Sequence, residues 1–357
     1  MGVLLFYLKQ MSEQLSLHEL HQWLQRYGPV GQAGDKTVMV RKADGVWLET
    51  QEGKRLLDFS AGGLIPMGYS YPGLPGAPGQ PEQGWVGPGT ERAERVFLMH
   101  KLAEIVPGGM NRRVLLCDSG REALARAVVL ATNASGRKKV AYLAEVPGDG
   151  VSFGSDVGAV VVHPFDSRVG QAAEFCRKND ALLIDDETMM APGMSGKMFA
   201  IEWAGVRPDV YVLGRGLAMG LAFGACVTGS SALRWDRNST GGSPAGCAVA
   251  LEFIELLESG FLKKASIMGA YLQDRLAGFA GSGIAEQVLG IGFVLSLRFG
   301  SAGMAAGFAA GCQDRGLLLS SVGKRTVGVW PPLVVKKEEI DQAVEIMKRV
   351  LARLGNG

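Results

Sequence analysis

The sequence predicts an α/β protein: a mostly parallel central sheet covered by helices on both faces, with a smaller α+β portion towards the C-terminus. Three observations carry this. From residue 92 onward, short continuous apolar runs alternate with helical patterns, the signature of strands buried on both faces. After about residue 260 that alternation gives way to sparser strands between helices. And 357 residues, 47% hydrophobic and 20% charged, supply a sizeable core and exclude a disordered chain.

The elements follow in order. Leu17, Leu20, Leu24 and Tyr27 are spaced as one face of a helix over residues 12–27. His18 and His21 sit on that helix without a converging third ligand, so they read as solvated residues and not as a metal pair. Strands are expected at Val38–Arg41, Val46–Glu49 and Arg55–Phe59, reversing at Gly45 and Gly53. Residues 72–89 are so rich in proline and glycine that they read as loop. Helices at Arg92–Ile105, Glu122–Ala131 and Val169–Arg177 then alternate with strands at Arg113–Cys117, Val140–Ala144, Ala159–Val162, Ala181–Ile184, Val210–Leu213 and Ala222–Thr228. A helix at Pro244–Ser259 follows, then a helix at Lys263–Phe279, strands near Gly290–Arg298 and Thr326–Trp330, and a closing helix at Lys337–Leu354. The domain division expected from this is 1–60 (an N-terminal helix and small sheet, part of a small domain), 61–255 (a large α/β domain) and 256–357 (C-terminal α+β).

Charge and cysteine content narrow the classes. A net charge of +2 argues against binding nucleic acid through phosphate contacts. No apolar run reaches the ~20 residues that span a bilayer, and the apolar start Met1–Leu8 lacks a basic region and a cleavage site. Five scattered cysteines without a CxxC pair point to a reducing cytoplasm and away from disulfides or zinc.

Four stretches offer chemistry. Cys117–Ala123 joins a strand to a helix through Ser119 and Gly120. Its free N–H groups suit an anion such as phosphate, but Ser119 and Glu122 are also spaced as a capping box that needs no ligand. Asp185, Asp186 and Glu187 stand at the carboxyl end of a central strand, where open α/β sheets bind ligands. Their alternation lets only one or two converge, and a cation or a positively charged heterocycle would relieve their repulsion. Val210–Leu213 leads into Gly214-Arg215-Gly216, and Asn238–Pro244 offers hydroxyls at Ser239 and Thr240 before the Ser243-Pro244 helix start.

The order of these motifs resembles the class III aminotransferases, the pyridoxal-phosphate (PLP) dependent, fold-type I group that includes acetylornithine and 4-aminobutyrate aminotransferases. The resemblance runs from about Val38 to the C-terminus. It rests on Gly45–Leu48 with Gly53–Phe59, on Gly68-Tyr69-Ser70-Tyr71-Pro72 in place of Gly-His-x-His-Pro, on Ser119–Ala123, on Gly196-Lys197-Met198-Phe199-Ala200 and on Pro208-Asp209. It implies a fold-type I, PLP-dependent transferase-like architecture and a dimer with its sites at the interface. By the same resemblance, Ser119, Gly120 and Arg121 form the phosphate turn and Asp186 pairs with the pyridinium nitrogen. Thr240 matches the hydroxyl that reaches the phosphate from the partner subunit.

Departures from the pattern are concentrated in the chemistry. Arg215 stands where the family carries its Schiff-base lysine, and a guanidinium stays protonated at neutral pH. Lys197 is no substitute, since the family has a lysine there as well. Thr188 and Met189 replace Val-Gln, and the segment between Ala144 and Val160 lacks the aromatic-histidine pair that stacks on the ring. The resemblance therefore implies a protein without a catalytic residue at position 215, a pseudoenzyme retained for binding a small anionic ligand or a partner. Its cofactor would be PLP or pyridoxamine phosphate (PMP) held non-covalently, or none, and its assembly a homodimer or a heterodimer with an active paralogue. No metal, nucleic acid or membrane partner is expected. The alternative is an enzyme acting on a small amino or keto substrate with a non-covalent cofactor and a base other than Arg215. His163 is the only histidine near the sheet and reads as a strand-end residue with its hydrogen bonds satisfied. Two arrangements are open for Arg215, a salt bridge to Asp186 or an anion site shared with Arg121, and a scaffold reading expects Met189, Met190 and Phe153 to close the pocket.

Overall fold

The computed structural model describes residues 18, 22, 38, 40–72, 93–107, 112–145, 153–228, 241–280 and 285–354. Apart from His18 and Gln22, the helix expected over 12–27 lies outside them, as does nearly all of the Pro/Gly-rich stretch 72–89.

A six-stranded sheet forms the centre of the fold. Its strands are β4 (Val114–Cys117), β5 (Lys139–Tyr142), β6 (Val157–Val162), β7 (Leu182–Glu187), β8 (Val210–Leu213) and β9 (Gly224–Thr228), in the order β4-β9-β8-β7-β6-β5. The pairs β5–β6, β6–β7 and β7–β8 are parallel; β9 runs antiparallel between β8 and β4, so β9 alone is reversed. The carboxyl ends of β4, β6, β7 and β8 therefore share one edge. β7 extends three residues beyond the expected strand and carries all three acids inside it.

The pleat sorts side chains into two cores. Ala159 and Val161 of β6, Ile184 of β7 and Val210 and Val212 of β8 meet Ala123, Ala127, Leu130 and Ala131 of helix α2 (Gly120–Ser135). Val160, Val162, Leu183, Tyr211 and Leu213 face the other way. They join the large core with Leu98 and Leu102 of α1 (Ala93–Ile105), Val169, Ala172 and Cys176 of α3 (Val169–Asn179), and Phe253 and Ile254 of α4 (Pro244–Leu256). Each Val, Leu, Ile or Phe among them removed from water contributes about 1.5–3 kcal/mol, so helices on both faces are what runs of apolar residues in the strands demand. All five cysteines are buried and free.

A second sheet of seven strands interleaves the two ends of the chain: β1 (Val40–Asp44), β2 (Trp47–Thr50), β3 (Arg55–Phe59), then β12 (Leu317–Gly323), β13 (Thr326–Val329), β11 (Val294–Phe299) and β10 (Ala285–Ile291). The link is a parallel pair, Leu317–Leu319 against Leu57–Phe59. The single strand expected near Gly290–Arg298 is a hairpin, β10–β11, turning at Gly292. Helices α5 (Leu262–Ala277), α6 (Ala302–Asp314) and α7 (Lys337–Leu354) complete this part. Neither α6 nor β12 is anticipated by the sequence reading, because the alanine- and glycine-rich run 302–311 shows little contrast between faces.

Two features of the core yield tests. Gly292 has φ +65°, and a methyl group there would sit 2.7 Å from Met194 O and from the Ser195 carbonyl carbon, the backbone on which the hairpin rests. Gly292→Ala is expected to lower stability by roughly 2 kcal/mol or more, measured by urea denaturation.

The second feature is an acid pair. Asp185 and Glu187 face the large core, fully buried, while Asp186 between them faces α2. Glu187 Oε1 accepts from Ile201 N at 2.9 Å. Neither Asp185 oxygen has an N–H or O–H donor among the described residues, so its partner is the Glu187 carboxyl, and one of the two must keep its proton. Burial, and then the Glu187 charge, raises the Asp185 pKa well above the usual carboxylate range; burial pushes Glu187 up to about 7. Both groups hold protons to higher pH when folded. Their stabilising effect is thus complete below about pH 4 and is lost as pH rises through about 7. The melting temperature should fall between mildly acidic and mildly alkaline pH, with a loss of roughly 2 kcal/mol. Asp185→Asn, which keeps a donor for Glu187 without a second charge, should flatten that fall.

Candidate active site at the carboxyl edge of the central sheet

The site is built where β4, β6, β7 and β8 end. After β4, Ser119 takes an extended conformation and caps α2, its Oγ accepting from Glu122 N at 3.1 Å. The capping box differs from expectation by one residue: Glu122 Oε2 accepts from Asp118 N at 3.1 Å instead of from Ser119 N. The first-turn N–H groups of Gly120 and Arg121 have no intrahelical acceptor, as at any helix start. They point out of the positive end of the α2 dipole.

Glycines let the strand ends close on one another. A methyl on Gly120 would lie 2.9 Å from Thr188 Cβ and 3.1 Å from Gly214 Cα, and one on Gly214 would collide with Thr188 O. The α2 start, the residue after β7 and the residue after β8 are therefore in direct contact.

Asp186 is half-buried on the α2 face, and its Oδ1 accepts from Thr188 N at 3.0 Å. Of the three neighbouring acids it alone faces this edge, which the alternation of β7 requires. Val162 pairs with Asp185, so His163, the next residue after β6, lies beside Asp186. His163 keeps an accessible face, packs against Phe165 at 5.9 Å between ring centroids and makes no side-chain hydrogen bond among the described residues. The expectation of a satisfied strand-end histidine is thereby corrected. Desolvation by the surrounding chain lowers its pKa, opposed by the charges of Asp186 and Asp166.

Arg215 opens a short 3-10 turn after β8 and is exposed. Neither Arg215 nor Asp186 enters an ion pair among the described residues, so the salt bridge considered from the sequence is not formed and Arg215 stays exposed. Arg121 is likewise exposed. Thr240, expected at the phosphate, lies outside the described residues. The segment after it is clamped: Gly242 N donates to Asp118 Oδ1 at 3.1 Å, and the Arg95 guanidinium donates to Gly241 O and Gly242 O. Lys197 is turned to a different task, with Nζ donating to Glu202 O at 3.1 Å and lying over Trp203 at 4.3 Å. Of the side chains expected to close the pocket, Met189 is 58% exposed and Phe153 packs edge-on against Phe175 of α3 at 5.0 Å, while Met190 is buried in the large core.

The residues present fit a pyridine ring bearing a phosphate at its two ends, the first-turn N–H groups at one and Asp186 at the other. His163 is the residue that sequence reading set aside. Its signal lies in the β6–β7 register and in no local motif.

The profile of the family described as "Aminotransferase class-III" matches residues 30–145 and 155–351. The acetylornithine aminotransferase of Streptococcus mutans is 26% identical over 363 residues, covering 87% of this chain and 94% of its own. That of Archaeoglobus fulgidus is 28% identical over 365 residues, with the same coverages. Among solved structures, the ornithine aminotransferase of Toxoplasma gondii superposes with a TM-score of 0.82 at 18% identity, over 98% of both chains. The acetylornithine aminotransferase of Elizabethkingia anophelis gives 0.79 at 20% identity, over 94% of this chain and 99% of that one. With the family profile running through both sheets and every strand end of the site, the chain belongs to the class III aminotransferases and has the fold-type I architecture.

Proposed function

We propose that this chain binds a pyridoxal- or pyridoxamine-type phosphate without covalent attachment and has lost the transamination chemistry that depends on a side-chain amine. What supports this is Arg215, two residues after β8, at the position that the resemblance assigns to the family's lysine. A guanidinium has a pKa above ~12 and is neither a nucleophile nor a base near neutrality. Lys197, bonded to Glu202 O and stacked on Trp203, is held away from that role.

A bound cofactor of this class would supply an electron-accepting ring. The remaining parts belong to the chain. Ser119, Gly120 and Arg121 present the α2 N-terminus to the phosphate, Asp186 holds the proton of the ring nitrogen, and Thr240 adds a hydroxyl. The division at 1–60, 61–255 and 256–357, a dimeric assembly (with itself or with an active relative) and a cytoplasmic setting complete the proposal. The acetylornithine and ornithine specificities named for the relatives are the first substrates to try.

A second reading, that proton transfer survives with a base other than Arg215, is favoured by one observation: an accessible histidine beside Asp186.

Absorbance titration of the purified protein with PLP and PMP, before and after borohydride, tests the proposal. Saturable binding with no borohydride-fixed adduct on the chain is expected. A stoichiometric adduct on any lysine of the unaltered protein would sink it. Arg215→Lys should convert binding into an adduct that peptide mapping finds at position 215. Asp186→Ala should weaken binding by about tenfold to a hundredfold, the usual worth of a charge-assisted hydrogen bond.

A further inference from the structure

The β6–β7 register has a consequence for the ring-nitrogen end of the site. β6 closes with Val162 opposite Asp185, and parallel neighbours lie ~4.8 Å apart, so His163 and Asp186 are adjacent. Alternation sends both to one face. Ala159 and Val161 precede His163 on the α2 side of β6, and Ile184 precedes Asp186 on the α2 side of β7. The imidazole is accessible and makes no hydrogen bond among the described residues, while Asp186 accepts only the Thr188 amide there.

We propose that His163 is a positioning residue that governs how much negative charge Asp186 offers to a bound heterocycle. Protonated, His163 is an internal counter-cation that occupies Asp186 and repels a protonated ring nitrogen. Neutral, it releases Asp186 to that nitrogen. The role rests on the function proposed above, since it presumes that the ligand is a pyridoxal- or pyridoxamine-type phosphate.

The charged groups facing His163 are few. Asp186 approaches from β7. Asp166 approaches from the segment leading into α3, but its two oxygens are taken by Arg168, Oδ1 accepting from Nε at 2.9 Å and Oδ2 from Nη2 at 2.7 Å. Arg168 is further bonded to Leu143 O at 2.9 Å. The Asp166 charge is therefore matched locally, and Asp186 is the carboxyl left to His163. Desolvation lowers the His163 pKa below the ordinary histidine value, so His163 is mostly neutral at neutral pH and charges in mild acid. Ligand binding and protonation of His163 then compete for the same carboxyl, and affinity must fall as the pH drops through the His163 pKa.

The chain has four histidines, His18, His21, His100 and His163, few enough to follow individually by NMR. His163→Gln assigns the resonance. Asp186→Asn should lower the His163 titration midpoint; a midpoint that does not move overturns the pairing. In parallel, PLP and PMP affinities are measured by fluorescence between about pH 5.5 and 8. Towards acid pH the unaltered protein should lose about tenfold more affinity than His163→Gln, the effect of one pKa unit of competition. Parallel pH profiles with intact binding overturn this role alone. Failure of both vitamers to bind at any pH overturns the function proposed above, and this role with it.

Discussion

A strand sends consecutive side chains to opposite faces, and the whole arrangement depends on this constraint acting on β7. Three adjacent acids would be intolerable on one surface. The pleat directs Asp185 and Glu187 into the large core and Asp186 to the edge where α2 begins. The first two are kept from mutual repulsion by sharing a proton, and Glu187 also ties the 200–204 turn to the sheet through Ile201 N. Asp186, half-exposed, keeps the electrostatic freedom a ligand requires.

The packing of the strand ends makes that freedom usable. Gly120 and Gly214 allow three chain segments to touch at Thr188, which brings a helix N-terminus and Asp186 onto the same face. Arg95 and Asp118 hold the 241–242 segment against the same turn from the other side. None of these contacts needs a catalytic amine. The interactions that shape the site are backbone approaches and caps.

The electrostatic design differs between the two sides of the sheet. In the large core desolvation dominates, and acids respond by retaining protons. At the edge the groups are less enclosed: Asp186 is half-buried, and His163 and Arg215 are exposed. His163 feels both influences, since desolvation lowers its pKa against the opposing charges of Asp186 and Asp166.

Much was legible in the amino-acid sequence by itself. Apolar runs located every strand of the central sheet, and the amphipathic pattern of α7 gave its limits, Lys337–Leu354, because local periodicity encodes burial directly. The motif order around Ser119–Gly120, Asp186 and Arg215 identified the family for the same reason: those residues serve local turns and strand ends. Tertiary structure alone decided that Asp185 and Glu187 are buried together in the large core, that Arg215 is exposed without pairing with Asp186, and that His163 lies beside that acid. Each of these depends on strand register and on contacts between residues far apart in the chain, to which local periodicity and spacing are blind.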